Sequence, residues 1–191
     1  MYESFFGFTR RPFAAIPQAH FYFPATAIET AKKTLSRCID RSEGPALVIG
    51  QAGTGKTLLC HLLREQFRER FRVCHLANSR LCSRRALLQA VLFELKLEYR
   101  ELEEGELRLS LIDFISSSDL AKEGLLLLVD EAHGIPNPLL EEMRMITNLV
   151  RNGESRVRLV LVGLPQLEER FANPKLESFS QRIAARCYLD T

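Results

Sequence analysis

No apolar run in the chain is longer than Leu125 to Val129. A helix needs about 20 consecutive apolar residues to cross a bilayer, so no membrane span is expected. The opening Met1-Tyr2-Glu3-Ser4-Phe5 lacks a basic stretch followed by an apolar one. A secretory signal is therefore not expected, and a cytoplasmic location is. None of the five cysteines (Cys38, Cys60, Cys74, Cys82, Cys187) falls in a C-x-x-C pair, and the four histidines show no ligand spacing. Neither a zinc site nor a disulfide framework is indicated. Free thiols at apolar positions fit a reducing compartment. An excess of one charge is also missing: 26 Lys and Arg against 24 Asp and Glu leave +2, with a pI near 8.3. That is too mild for bulk attraction to nucleic acid. Internal repeats and low-complexity linkers are absent from the sequence.

What remains is ordinary globular material. The 191 residues are 46% hydrophobic and 26% charged, enough for one domain with a full core. Arginine greatly outnumbers lysine, which fits either genomic base composition or phosphate recognition by the guanidinium fork. Short apolar runs bounded by turn signals predict strands at residues 45–50, Val73 to Ala77, Leu125 to Val129 and Val157 to Val162, with a fifth at Cys187 to Leu189. Continuous rather than alternating runs suit a parallel sheet covered on both faces. Helical stripes lie between them: Ile28, Ala31, Leu35 and Cys38; Leu59, Leu62, Leu63 and Phe67; Leu88, Val91, Leu92 and Leu95; Leu107, Leu111, Phe114 and Ile115; Leu139, Met143, Ile146 and Val150. The last of these helices is expected to start at an Asn137 cap with Pro138 in its first turn and to end at Asn152-Gly153. Asn173-Pro174 repeats the start signal. This β-α alternation predicts an α/β fold with helices on both faces of the sheet.

The segment Gly50-Gln51-Ala52-Gly53-Thr54-Gly55-Lys56-Thr57 matches the phosphate-binding pattern G-x-x-x-x-G-K-[ST], between a strand and a helix. Its glycines let backbone N–H groups converge on phosphate oxygens, and the helix start adds its dipole. Binding of ATP or ADP is expected along residues 50–57 and into Leu58. Lys56 would reach the β- and γ-phosphates, and Thr57 would place its hydroxyl on Mg²⁺. The strand at Leu125 to Val129 ends in Asp130-Glu131, a Walker B pattern. Asp130 would hold Mg²⁺, and Glu131 would polarise the attacking water. A strand between the two motifs suits NTPases with a catalytic glutamate better than GTPases or nucleoside kinases. Asp130-Glu131-Ala132-His133 also spells a helicase DEAH box, but the second RecA-like domain and Ser-Ala-Thr motif of those enzymes are missing. His133 is then a sensor-side or surface residue. Arg64, Arg68, Arg70 and Arg72, interleaved with Glu65 and Glu69, are expected to pair at helical i,i+4 spacing.

The opening Met1-Tyr2-Glu3-Ser4-Phe5-Phe6-Gly7-Phe8 with Pro12-Phe13, the two Walker segments, Leu139 to Arg144, Asn148-Leu149, Leu159 to Leu167 and Phe179 to Ile183 together resemble the AAA+ ATPases of the general secretion pathway protein A (ExeA-like) family. The resemblance implies a P-loop NTPase core with a five-stranded parallel sheet in the order 5-1-4-3-2. It also implies a Mg-dependent ATPase that works as a homo-oligomer with secretion-pathway or pilus-assembly proteins at the inner membrane. Residues 1–25 would form an N-terminal arm and residues 26–191 the core, without the helical lid that follows in relatives. Some of Phe5, Phe6, Phe8 and Phe13 would pack on the core, and others would cover the adenine. Arg182 falls where such proteins place an arginine finger that completes a neighbour's site, with Arg186 as a second candidate. Leu164 stands where the family usually carries a polar sensor-1 glutamine. An apolar side chain cannot hydrogen-bond phosphate, so Gln166 or a backbone group would have to substitute. The alternative is a DNA-associated transposition-helper ATPase. A small-molecule kinase is a third class, disfavoured by Glu131.

Overall fold

A computed structural model of the chain describes residues 5–7, 22–77, 81–117 and 122–190. Phe8, Pro12 and Phe13 of the expected N-terminal arm lie outside them, whereas Phe5 and Phe6 are described and are 83% and 63% exposed. In chain order the elements are α1 (Thr26–Arg41), β1 (Ala46–Gly50), α2 (Lys56–Phe67), β2 (Arg72–Leu76), α3 (Arg84–Glu94), α4 (Glu104–Ser116), β3 (Leu125–Val129), α5 (Asn137–Thr147), β4 (Val150–Arg151), β5 (Glu154–Ser155), β6 (Val157–Gly163), α6 (Pro165–Phe171), α7 (Glu177–Ser180) and β7 (Ala185–Leu189).

Five strands form one sheet in the order β2-β3-β6-β1-β7, and every pairing is parallel. The strands β4 and β5 pair only with each other. With that ribbon set aside, the sheet reads 5-1-4-3-2 from the β7 edge, the expected order. The apolar runs of β1, β3 and β6 are continuous because each of these strands feeds two cores. Leu47 and Ile49 of β1 face one core and Ala46 and Val48 the other; Leu125, Leu127 and Val129 of β3 face the first and Leu126 and Leu128 the second. Helices α1 and α2 cover one face, and α3 to α6 the other. Each fully buried leucine is worth roughly 1.5–3 kcal/mol over exposure, so these strands contribute much of the fold's burial.

The helix ends show why the cap signals work where they do. The Ser83 hydroxyl accepts from the Ala86 N–H ahead of α3. Glu103 and Glu106 form a reciprocal capping box on α4. The expected boundaries of α5 need correction. Asn137 is its first residue rather than its cap, and Pro136 precedes it; the Asn137 side chain accepts from Arg170 instead. The helix ends at Thr147, and Val150 leaves its stripe to join β4, where it is exposed. Asn152-Gly153 is the tip of the β4–β5 hairpin, with φ of 53° and 79°. Two successive positive φ angles are what a tight hairpin turn requires, and Asn-Gly adopts them at least cost. Asn173 does cap as expected, accepting from the Lys175 N–H.

The arginine stretch pairs differently from the i,i+4 expectation, because α2 stops at Phe67. Arg68 meets Glu65 and Glu69, while Arg70 reaches two other elements: Asp40 of α1 and Glu123 before β3. The thiols Cys38, Cys60, Cys74 and Cys187 are free and buried, and Cys82 is free and exposed.

Candidate nucleotide site

The carboxyl end of β1 runs directly into the phosphate-loop sequence. Gly50 must be glycine for space: a Cβ there would lie 2.5 Å from Thr54 Oγ1 and 2.8 Å from the Leu189 carbonyl. Gly55, at φ 86°, turns the chain left-handed into α2, which starts at Lys56. Inside the loop the Gln51 carbonyl accepts from the Thr54 hydroxyl (2.9 Å) and from Lys56 Nζ (2.6 Å). Lys56 is only 6% exposed. A nearly buried ammonium whose hydrogen-bond partner among the described residues is a loop carbonyl is suited to an anion.

Across the cleft, Asp130 follows the last residue of β3 and is 4% exposed. Its backbone N–H donates to the Leu76 carbonyl (2.9 Å), which continues the β2–β3 ladder one residue past the strand. Its carboxylate accepts from the Thr57 hydroxyl (2.7 Å) and from the Glu131 N–H (2.8 Å). Glu131 turns left-handed, at φ 55°, an unfavourable conformation for a non-glycine residue that points to a positional requirement. Its carboxylate is 3.6 Å from His133 Nε2. His133 Nδ1 lies 3.5 Å from the Leu164 N–H at the end of β6.

The structure thus brings Ala52, Gly53, Gly55, Lys56, Thr57, Leu58, Glu131 and Leu164 around one cleft of about 350 Å³. Gly53, at φ 84°, has open space where a Cβ would sit, so the loop presents backbone there. The hard oxygens of Thr57 and Asp130 suit Mg²⁺. Cradle, buried cation and oxygen pair together fit a nucleotide triphosphate and its metal ion. Gln166 is exposed on α6 and is not among the residues lining the cleft; the polar groups beside Leu164 are its own N–H and His133.

Arg182 is not brought to this cleft. It precedes β7, at the end of the sheet opposite the phosphate loop, and its guanidinium donates to Asn148 (2.6 Å). A five-residue strand separates the two ends by about 16 Å. Arg186 lies on the exposed side of edge strand β7 and donates to Ser180. Residues that local patterns did not flag also shape the site. Arg170 of α6 donates to the carbonyls of His133 and Ile135 and to Asn137, pinning the turn after Glu131. Only its position four residues after Gln166 on a short helix marks it in sequence, and that is no signal.

The model of the AAA domain family matches residues 39–171, which contain both halves of the cleft. The chain belongs to the AAA domain family. Over 190 residues it is 30% identical to general secretion pathway protein A of Aeromonas hydrophila, covering 99% of this chain and 35% of that protein. The chain therefore spans about a third of the relative's length. Among solved structures, the AAA domain is similar to the ORC2 protein of Aeropyrum pernix, solved as ADPNP–ADP complexes (14% identity, TM-score 0.65, 85% of this chain and 46% of that one). It is also similar to Cdc6p from Pyrobaculum aerophilum (18%, TM-score 0.65, 91% and 50%). At these identities the likeness shows the fold. Among the described residues, no helix of the AAA domain is long and apolar enough to cross a membrane.

Proposed function

We propose that this AAA domain binds Mg·ATP in the cleft at residues 50–58, hydrolyses it, and couples the cycle to assembly of a secretion- or pilus-type membrane complex. The observation that carries the first part is the 2.7 Å hydrogen bond from Thr57 to Asp130. It joins the phosphate loop to the end of β3 and sets side by side the two oxygens that would hold the metal ion. Lys56 would release the Gln51 carbonyl and pair with the β- and γ-phosphates. Mg²⁺, when bound, would neutralise charge on the same phosphate oxygens. Thr57 and Asp130 would hold it. Glu131, one residue on, would orient a water and take its proton as the γ-phosphate is attacked.

Coupling to a membrane assembly is supported by the 30% identity to general secretion pathway protein A. On this reading residues 1–25 are an arm and residues 26–191 the motor core. The chain works as a homo-oligomer at the cytoplasmic face of the membrane. Arg182, too far from its own cleft to touch its nucleotide, reaches the site of a neighbour. Calorimetry tests the foundation: Lys56→Ala should lose most ATP affinity, and an unchanged affinity would reject the site.

A further inference from the structure

Behind the Mg²⁺ side of the cleft, three elements meet in a buried polar knot. Cys60 of α2, His75 of β2 and Asp130 each offer a ligand atom, and these atoms all lie within 4.8 Å of one another. The residues are 0%, 8% and 4% exposed. His75 Nε2 is buried and has no hydrogen-bond partner among the described residues, and a buried nitrogen left unsatisfied is costly. We propose that Cys60, His75 and Asp130 form a site for a single borderline-soft divalent ion of the Zn²⁺ class.

The donor set fits that class. One thiolate sulfur, one imidazole nitrogen and one carboxylate oxygen, with water in the fourth position, make a tetrahedral mixed-ligand site. Mg²⁺ and Ca²⁺ take oxygen ligands and would leave the thiol unused. Charge balances as well. A thiolate, a neutral imidazole, a carboxylate and a divalent ion sum to zero, the condition under which charges tolerate burial. Burial and the neighbouring His61 hold His75 below the usual histidine value, so its imidazole is neutral and ready to ligate. Burial pushes the Cys60 thiol up, so the metal must displace its proton. One S–H bond breaks, one S–metal bond forms, and one proton leaves to solvent. The ligand atoms need to close by less than an ångström or so to meet one ion at the ~2.0–2.3 Å of such bonds.

Asp130 stands in both the knot and the proposed Mg²⁺ site. Zinc bound to the knot draws its carboxylate away from the Thr57 hydroxyl and blocks Mg-dependent hydrolysis. That consequence rests on the proposed function; the metal site itself does not.

Cobalt(II) titration of the folded, metal-free protein tests the site alone. The expected result is one ion per chain, intense tetrahedral d–d bands and a thiolate-to-cobalt charge-transfer band. That band should disappear in Cys60→Ser, weaken at least tenfold in apparent affinity in His75→Gln, and persist in Cys82→Ser, which removes the exposed thiol. Absence of the band in the wild type, or its survival in Cys60→Ser, overturns the proposal. If circular dichroism shows Cys60→Ser unfolded, X-ray absorption on the zinc-loaded wild type decides. One sulfur with nitrogen and oxygen scatterers supports the site, and a shell without sulfur or with several sulfurs refutes it. If the bands appear but zinc leaves ATP hydrolysis unchanged, the metal site stands and the role of Asp130 in hydrolysis falls.

Discussion

The two ends of the sheet are built from different materials. At the carboxyl end, polar groups are short or nearly buried and their positions are set by backbone: Lys56, Thr57 and Asp130 crowd together, and Gly55 and Glu131 turn left-handed to aim them. At the amino end, long arginines reach between elements. Arg182 holds Asn148, Arg158 donates to the Ile39 and Ser155 carbonyls, and Arg70 spans Asp40 and Glu123. The first construction has surrendered its freedom on folding and can meet a ligand with little reorganisation. The second ties elements together with long side chains, exposed at Arg70 and Arg182 and half-buried at Arg158. Strand polarity therefore separates the groups that line the chain's own cleft from arginines that lie at the far end of the sheet.

The strongest way to break that division is at Arg182. In the assembled protein, Arg182→Ala should cut hydrolysis by roughly 10³ or more while ATP affinity stays near normal. Mixing it with Lys56→Ala protein, which lacks a working pocket but keeps the arginine, should restore turnover. A rate per subunit that ignores protein concentration, with no rescue on mixing, would return the amino end to a purely structural role. Next in size is Glu131→Gln, which keeps shape but loses the base. It should bind ATP and hydrolyse it about 10²–10⁴-fold more slowly in single-turnover assays; wild-type turnover would move the base elsewhere. A smaller effect belongs to His133, which sits 3.6 Å from the Glu131 carboxylate. Loss of a half-exposed contact of this kind is worth up to about 1 kcal/mol, so His133→Ala should slow turnover by at most about fivefold without changing affinity. A loss of a hundredfold would make the histidine, not the glutamate, the central group.

The smallest effect tests the amino end alone. Arg70 hydrogen-bonds Glu123 through two nitrogens and holds its carboxyl below the usual glutamate value. A folded-state value below the unfolded one gives stability that is complete above the ordinary carboxylate range. That stability is lost as the pH falls through the folded value. Half-exposed groups limit it to about 1 kcal/mol. Glu123→Gln should remove that part of the acid dependence in urea midpoints measured from neutral pH downward. Equal acid dependence in both proteins would show the pair to be ornamental.

Much of this was readable from the sequence because it is local. A strand that feeds two cores must be apolar at consecutive positions, so β1, β3 and β6 announce themselves, and a phosphate loop is eight adjacent residues. Asn152-Gly153 misled because the same dipeptide ends helices and turns hairpins, and only the partner strand decides between them. The pairs made by Arg70 could not be read, since Asp40 and Glu123 come from distant parts of the chain. The same holds for the knot behind the cleft. Spacing rules look for ligands along the chain, and Cys60, His75 and Asp130 are brought together by three separate elements around the end of the sheet.

Gly50 has a mechanical consequence. It closes a ladder in which β1 and β7 pair residue for residue, from Ala46 with Ala185 to Gly50 with Leu189, and its missing side chain lets the Leu189 carbonyl seat directly against it. Two hydrogen-bonded strands with no gap at their tip form a strut, stiff along its length. One end of this strut carries the phosphate loop; the segment holding Arg182 leads into the other. A load applied near Arg182 would pass through Ile183 and Ala184, where the Ala184 N–H donates to the Pro45 carbonyl (2.8 Å), and reach the loop as a displacement of the whole strut.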